Sequence, residues 1–535
     1  MRALDSEAYR RRWWTLAVLD LAVFVVVLDD TILNIALPAL QRELGATSSQ
    51  LQWILDSYLL VFAGLLLAAG SLGDRFGRKG ALQLGLLVFG GGSLASALSQ
   101  NPDQLIAARS VMGVGAAFIM PTTLSILTNV FPAEERARAI GIWSGVVGLG
   151  IAVGPLASGV LLEHYRWSSV FWLNVPITVA GVAAAAALVP NSRDPAAPPV
   201  DVVGTLLSIA GLGALLYAII EAPKVGWTAE RTLVAFAGAA ALLALFALWE
   251  RVTPHPMLDL RFFRSARFTT SAVSIMLTFF ALLGLLFVLT QHLQFYLGYS
   301  PLGAGARAAP VALAVMAGAL LAAFAVNRLG ARVMVGVGLT VVAVGLFVIG
   351  AGREGGYPPL LAGMLTVGFG MGLAMTPATD AVMGSLPRAR AGVGSAVNDT
   401  TRQVGGALGV AVVGSALSSR YREGLDGLAG IEVLLPPAAV GAASDSIGGA
   451  LLVAREVGPD AAPLVEVARA AFLDAMWESM LLTAAIAGVA ALLAFALLPA
   501  RETRTPEEIE DAFLTGTLPR GQSLFEWLTR DRRGR

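Results

Sequence analysis

The stretch "GSLGDRFGRKG", residues 70–80, decides how this chain is read. Charged residues make up only 14% of the sequence, yet Asp74, Arg75, Arg78 and Lys79 crowd into six positions between two long apolar runs. Runs of roughly 18–24 apolar residues recur on both sides, and about 20 residues at 1.5 Å each cross a bilayer core. With 56% hydrophobic residues in 535, the chain reads as an all-α polytopic membrane protein, and the charged stretch is one of its connecting loops.

Fourteen spans are expected, near 14–37, 51–72, 81–99, 104–128, 140–162, 170–189, 202–220, 232–249, 268–291, 304–326, 331–350, 358–381, 396–418 and 478–498. The second and the thirteenth carry ionisable groups and stand out least. Placing the N-terminus in the cytoplasm puts most of the 37 Lys and Arg on the cytoplasmic side, so both termini and residues 70–80 are expected there. The first apolar run contains acids and lacks a small-residue cleavage site, which reads as a span and not a signal peptide.

Two loops repeat. "DRFGRK" at 74–79 aligns with "NRLGAR" at 327–332, an offset of 253, and "RARA" at 136–139 recurs at 388–391, an offset of 252. The spacing divides the chain into a six-helix bundle over 1–190, linkers with two inserted helices over 191–266, a second six-helix bundle over 267–498, and a cytoplasmic tail over 499–535. The second bundle carries an external loop at 419–477, in which "PLVEVARAAFLDAMW" reads as an amphipathic helix. Two repeated bundles with a site between them at the midplane is a secondary-transporter plan.

Several function classes drop out. The formal net charge is zero, which gives no electrostatic footprint for nucleic acid. There is no cysteine, and the three histidines lack metal-ligand spacing, so no metal and no cofactor are expected. Gly-rich runs such as "GLGIAVG" follow no strand and precede no lysine; they read as close helix packing and not as nucleotide loops. No nucleophile–base grouping appears, and the chain is read as not an enzyme.

Ionisable groups inside spans are costly and therefore functional candidates. Asp29, Asp30, Asp56 and Arg109 fall in one layer, roughly 9–14 Å below the outer surface at 1.5 Å per residue. An acid and an arginine at one depth can form a switchable pair, in which protonation of the acid frees the arginine. A static salt bridge holding spans together is the alternative. Asp29 and Asp30 point about 100° apart, so one of them faces the cavity. Asp399 and Arg402, one turn apart, form either a local ion pair or a second coupling site.

Within 70–80, Gly70 and Gly73 admit a close neighbour, and Asp74, Arg75, Gly77, Arg78 and Lys79 form a cluster expected to latch the two bundles together. An ordinary basic loop is the simpler alternative. The pattern "GSLGDRFGRK" resembles the signature loop of the major facilitator superfamily. "LIAARSVMGVGAA" (105–117) resembles that superfamily's intramembrane-arginine motif, and "GVVGLGIAVGPLASG" (145–159), with Gly150, Gly154, Pro155 and Gly159, its antiporter motif. "LDDTILNIALP" (28–38) and "NDTTRQVGGALG" (398–409) resemble signatures of the fourteen-span drug:proton antiporter branch, often called EmrB/QacA-type.

The resemblance implies the major facilitator fold with two inserted helices in a cytoplasmic membrane. It implies a proton-coupled antiporter that exports hydrophobic, amphipathic or monocationic drugs by alternating access. Asp29 stands in the position of the family's first-span acid, and Gly154-Pro155 would bend the fifth span. The implied partners are hydrophobic small molecules, protons and the lipid bilayer; nothing in the sequence demands more than a monomer, which is the expected functional unit. Two departures matter: Asn327 replaces the acid in the second loop copy, and the tenth span has no acid, which argues against dications. A transporter of one specific metabolite and a lipid-handling translocase are the alternatives.

Overall fold

The computed structural model describes residues 9–193, 201–254, 256, 260–383, 385, 391–425, 437–458 and 461–499. The tail from residue 500, the stretch 426–436, most of the 388–391 repeat and the side chain of Asn327 lie outside the described residues.

The first half contains α1 (Arg12–Leu44), α2 (Ser48–Phe76), α3 (Arg78–Ala97), α4 (Pro102–Val130), α5 (Ala133–His164), a single turn α6 (Ser169–Trp172) and α7 (Asn174–Leu188). An inserted hairpin follows, α8 (Val202–Val225) and α9 (Glu230–Val252). The second half contains α10 (Ala266–Gln291), ending in a π-helical turn (His292–Tyr296), then α11 (Pro301–Ala308), α12 (Pro310–Ala351), α13 (Tyr357–Met383) and α14 (Ala391–Leu425). Two short helices, α15 (Pro437–Asp445) and α16 (Ile447–Val457), precede α17 (Ala462–Leu497). Among the described residues, ten helices are long and apolar enough to cross a membrane, or eleven with α2, which bends near residue 67.

Local chemistry sets the helix ends. Thr47 and Gln50 form a reciprocal capping box at the start of α2, and Asn101 caps α4 through the Gln104 amide with Pro102 in the first turn. Within the first half α2 packs on α4, α3 on α4, and α1 on α5. In the second half α12 folds back along α13, and α10 and α17 pack on α14. The halves meet along α2–α14 and α5–α11, with α8 wedged against both α2 and α14.

The repeat read from the loops has a backbone counterpart. Gly77, between α2 and α3, has φ 134°, and Gly330, its partner at the same offset, has φ 79° and breaks α12 into two limbs. A side chain is strained at either φ, so glycine occupies both turns. The expected tenth and eleventh spans are these two limbs of α12, the first continuing from α11.

One segment departs from expectation. "PLVEVARAAFLDAMW" is helical, but it is the beginning of α17 and not a separate surface helix. Leu464, Ala468, Ala471, Phe472, Ala475 and Met476 are all buried, and that stripe packs on α14 and α16. The apolar face read as amphipathic continues the packing face of the last span.

Candidate functional site

The face carrying the start of α1 and the 70–80 loop is called the near face here, and the face carrying the α1–α2 connection the far face. Between them Asp29, on α1, is 0% exposed and Arg109, on α4, is 1% exposed, and the two form an ion pair through Arg109 Nη1 and Asp29 Oδ2. Arg109 Nε donates to the Ile54 carbonyl at 3.2 Å, and its guanidinium lies 4.2 Å from the centre of the Tyr58 ring. A planar fork held by a carboxylate, a carbonyl and an aromatic face suits arginine and not lysine. The other Asp29 oxygen, Oδ1, accepts from Asn174 Nδ2 at 2.9 Å. Asn174 also donates to Ser93 Oγ at 3.2 Å, and Ser93 donates to the Phe171 carbonyl at 2.8 Å. Four helices, α1, α3, α4 and α7, therefore converge on one carboxylate.

Of the four groups expected in one layer, Asp29 and Arg109 meet directly. Asp30 faces the Tyr58 hydroxyl without a hydrogen bond of good geometry, and its Oδ1 has no partner among the described residues. Asp56 stands apart: it is fully buried, and neither carboxylate oxygen has a partner among the described residues. It shares a face of α2 with Gln52 and Leu59, which lie against Gly414 and Gly406 of α14. Asp56 thus faces the other half of the molecule and not Arg109. Linear depth placed these groups in a layer; helix rotation separates them.

The 70–80 cluster was expected to bridge the halves. Among the described residues, Asp74 and Lys79 bond within the first half: Asp74 Oδ1 accepts from Arg78 Nε at 2.6 Å and from Ser125 Oγ of α4 at 2.8 Å, and Lys79 Nζ donates to the Ala186 carbonyl of α7 at 2.6 Å. The physical reason is the turn at Gly77, which folds α3 back and aims Asp74 at the end of α4. Gly73 lets Ala81 and Thr122 approach, and Gly70 borders Pro121. Arg75 is solvent-facing beside Phe76. Asp399 and Arg402 form a local pair at 3.7 Å, with Arg402 5.1 Å from the centre of the Phe279 ring.

The motif at 145–159 does join the halves. A Cβ at Gly150 would lie 2.9 Å from Val27, and one at Gly154 1.9 Å from Thr31 Oγ1, so both glycines seat α1 against α5. Towards the far face, a Cβ at Gly159 would lie 2.5 Å from the Leu302 Cα, and a Cβ at Gly305 2.1 Å from the Pro155 carbonyl oxygen. Backbone meets backbone there, across α5 and α11. Pro155 lies inside α5, which runs as one helix from 133 to 164.

Other bonds between the halves cluster at the same far end. Gln294 Nε2 donates to the Ile35 carbonyl at 2.8 Å, and Gln41 pairs with Ser446. Asp445 Oδ2 accepts from the Ser48 amide at 2.6 Å, and its Oδ1 from Arg422 Nη2 at 2.9 Å. Arg422 also donates to the Pro223 carbonyl of the inserted hairpin at 2.8 Å. Neither Asn174, Ser93, Gly305 nor Asp445 carries a sequence pattern that singles it out. Gly305 might have been sought in "PLGAGARA" by its small-residue spacing, but only a partner helix reveals which glycine is in contact.

A profile of the Major Facilitator Superfamily matches residues 19–410. The chain is 37% identical over 465 residues to the multidrug efflux pump LfrA of Mycolicibacterium smegmatis, covering 86% of this chain and 91% of that protein. It is 33% identical over 507 residues to the tetracenomycin C resistance and export protein of Streptomyces glaucescens, covering 93% and 94%. Among solved structures, a bacterial homologue of the human lysosomal transporter Spinster, inward-facing and occupied, matches with a TM-score of 0.66 at 18% identity, covering 93% of this chain and 98% of that one.

Proposed function

Because this chain belongs to the Major Facilitator Superfamily, we propose that it is a proton-coupled antiporter exporting hydrophobic, amphipathic or monocationic compounds by alternating access. The observation that carries this reading is the buried Asp29–Arg109 pair between two different helices. Burying both charges is costly, and the cost is tolerable only while they are paired. Protonation of Asp29 removes one charge and leaves Arg109 to seek another partner, so proton uptake and helix rearrangement become one event. The relatives named for multidrug efflux and for antibiotic export support small-molecule drugs as the cargo.

In this reading the near face is cytoplasmic, and both termini lie there with most of the Lys and Arg. The helices α1, α5 and α14, of 33, 32 and 35 residues, are spans as well, which raises the total to fourteen and places the chain in the EmrB/QacA-type branch. The chain acts as a monomer in a cytoplasmic membrane. Asp30 and Asp56 are further proton-carrying groups, and Asp74 with Arg78 and Lys79 stiffens the near end of the first half as it rotates.

The test uses inside-out vesicles energised to an acidic lumen, to which lipophilic cations and neutral antibiotics are added. Collapse of the pH gradient on addition, abolished by Asp29→Asn, is the expected result. Undiminished proton movement in Asp29→Asn would move the carrier role to Asp30 or Asp56. No response to any compound in the unaltered protein would overturn drug antiport in favour of a single-metabolite transporter.

A further inference from the structure

Asn174 opens α7, directly after the short break that separates α6 from it, and is 0% exposed. Asp29 is gripped from two sides, by Arg109 on one oxygen and by Asn174 on the other. We propose that Asn174 is a positioning residue of the coupling centre, an amide partner that serves Asp29 both as a carboxylate and as a carboxylic acid. This rests on the antiport reading above.

A buried carboxyl needs different partners in each protonation state. A carboxylate needs donors, and Asn174 Nδ2 supplies one alongside Arg109. A protonated Asp29 must donate its own hydrogen, and the two atoms that now bond it, Arg109 Nη1 and Asn174 Nδ2, are both donors. Groups facing it from the surrounding helices are Arg109 from α4, Tyr58 from α2, Asp30 from α1 and Asn174 from α7. The carboxamide carries an acceptor, Asn174 Oδ1, which is buried and has no partner among the described residues. A half-turn of the amide exchanges donor for acceptor and keeps Asp29 hydrogen-bonded when Arg109 withdraws. Ser93 can follow, because a hydroxyl donates or accepts by rotating. An unmatched buried group costs more than a formed bond contributes, so a partner able to match both states lowers the barrier between them.

The experiment is the pH profile of proton exchange driven by tetraphenylphosphonium, a lipophilic monocation, with the full chain in proteoliposomes. Asn174→Leu removes a donor that favours the carboxylate and should move the pH of half-maximal exchange upward by about one unit. Ser93→Ala leaves the donor but frees the amide, and a smaller upward shift is expected. Asn174→Ser, which restores a group that both donates and accepts, should bring the profile back towards the unaltered one. A merely structural Asn174 would lower the rate equally at every pH or reduce the folded yield; an unmoved midpoint in Ser93→Ala would overturn the inference even if the leucine variant failed to fold. Absence of cation-driven exchange in the unaltered protein would instead sink the antiport reading on which the inference rests.

Discussion

Replacing Gly305 by alanine puts a close backbone contact between the halves under load. The added methyl would sit 2.1 Å from the Pro155 carbonyl oxygen and 2.8 Å from its carbonyl carbon, where ordinary contact begins near 3.4 Å. Both obstructing atoms are helix backbone, so relief requires α5 and α11 to part by about 1 Å and not a rotamer change. Overpacking of this kind costs about 1–3 kcal/mol. If α5 and α11 touch this way only while the far face is closed, the whole cost falls on that state. Opening is then favoured by roughly 5- to 150-fold, at 1.4 kcal/mol per factor of ten. The chain has no cysteine, so spin labels on Gln100→Cys and Glu354→Cys report the far-face width directly. Both positions are exposed at far-face connections of opposite halves. Gly305→Ala should populate longer label separations and slow drug-driven proton exchange. Gly91→Ala, where a Cβ meets nothing within 4 Å, should change neither. An unaltered distance distribution in Gly305→Ala would show that the α5–α11 contact is not a gate.

Four further outcomes are expected. Arg109→Lys keeps the charge but loses the Ile54 bond and the flat contact with Tyr58, so proton-linked transport should fall to background while membrane insertion persists; retained transport would reduce Arg109 to a point charge. Asp56→Leu removes a buried carboxyl with no partner among the described residues and should stabilise the purified protein by about 1–3 kcal/mol, seen as a higher thermal unfolding midpoint; a lower midpoint would mean that Asp56 has a hidden partner. Asp445→Ala breaks the junction of Ser48 and Arg422, and the same far-face labels should separate more often; an unmoved distribution would make that junction decorative. Gly77→Ala and Gly330→Ala should each cost about 1–2 kcal/mol through backbone strain, measured as loss of thermal stability, and a neutral result at either would break the equivalence of the two turns.

Fold class and the key ion pair were legible because each leaves a linear trace. An apolar run must be long enough to cross hydrocarbon, and an acid or an arginine inside one is conspicuous. The glycines at 77 and 330 were legible as matched positions because the positive φ that both adopt admits few other residues. The partners of those groups were not legible. Asp56 and Asp29 fall in one linear layer, yet one faces α14 and the other Arg109, since rotation about each helix axis depends on which neighbours it packs against. The partners of the 70–80 cluster were hidden for a related reason: its charges predict a partner without saying in which half that partner lies.

The chain's own letters determine that it spans a membrane many times and which few charges fall inside its apolar runs. Those properties are local, set by transfer of side chains and backbone into hydrocarbon. Tertiary packing alone decided that Asn174 completes the hold on Asp29, that Gly305 rather than its neighbours meets Pro155, and that Asp445 ties the far ends of the halves. Each of these joins residues on helices whose relative rotation and height arise from the sum of many small contacts, and no short stretch of sequence contains that sum.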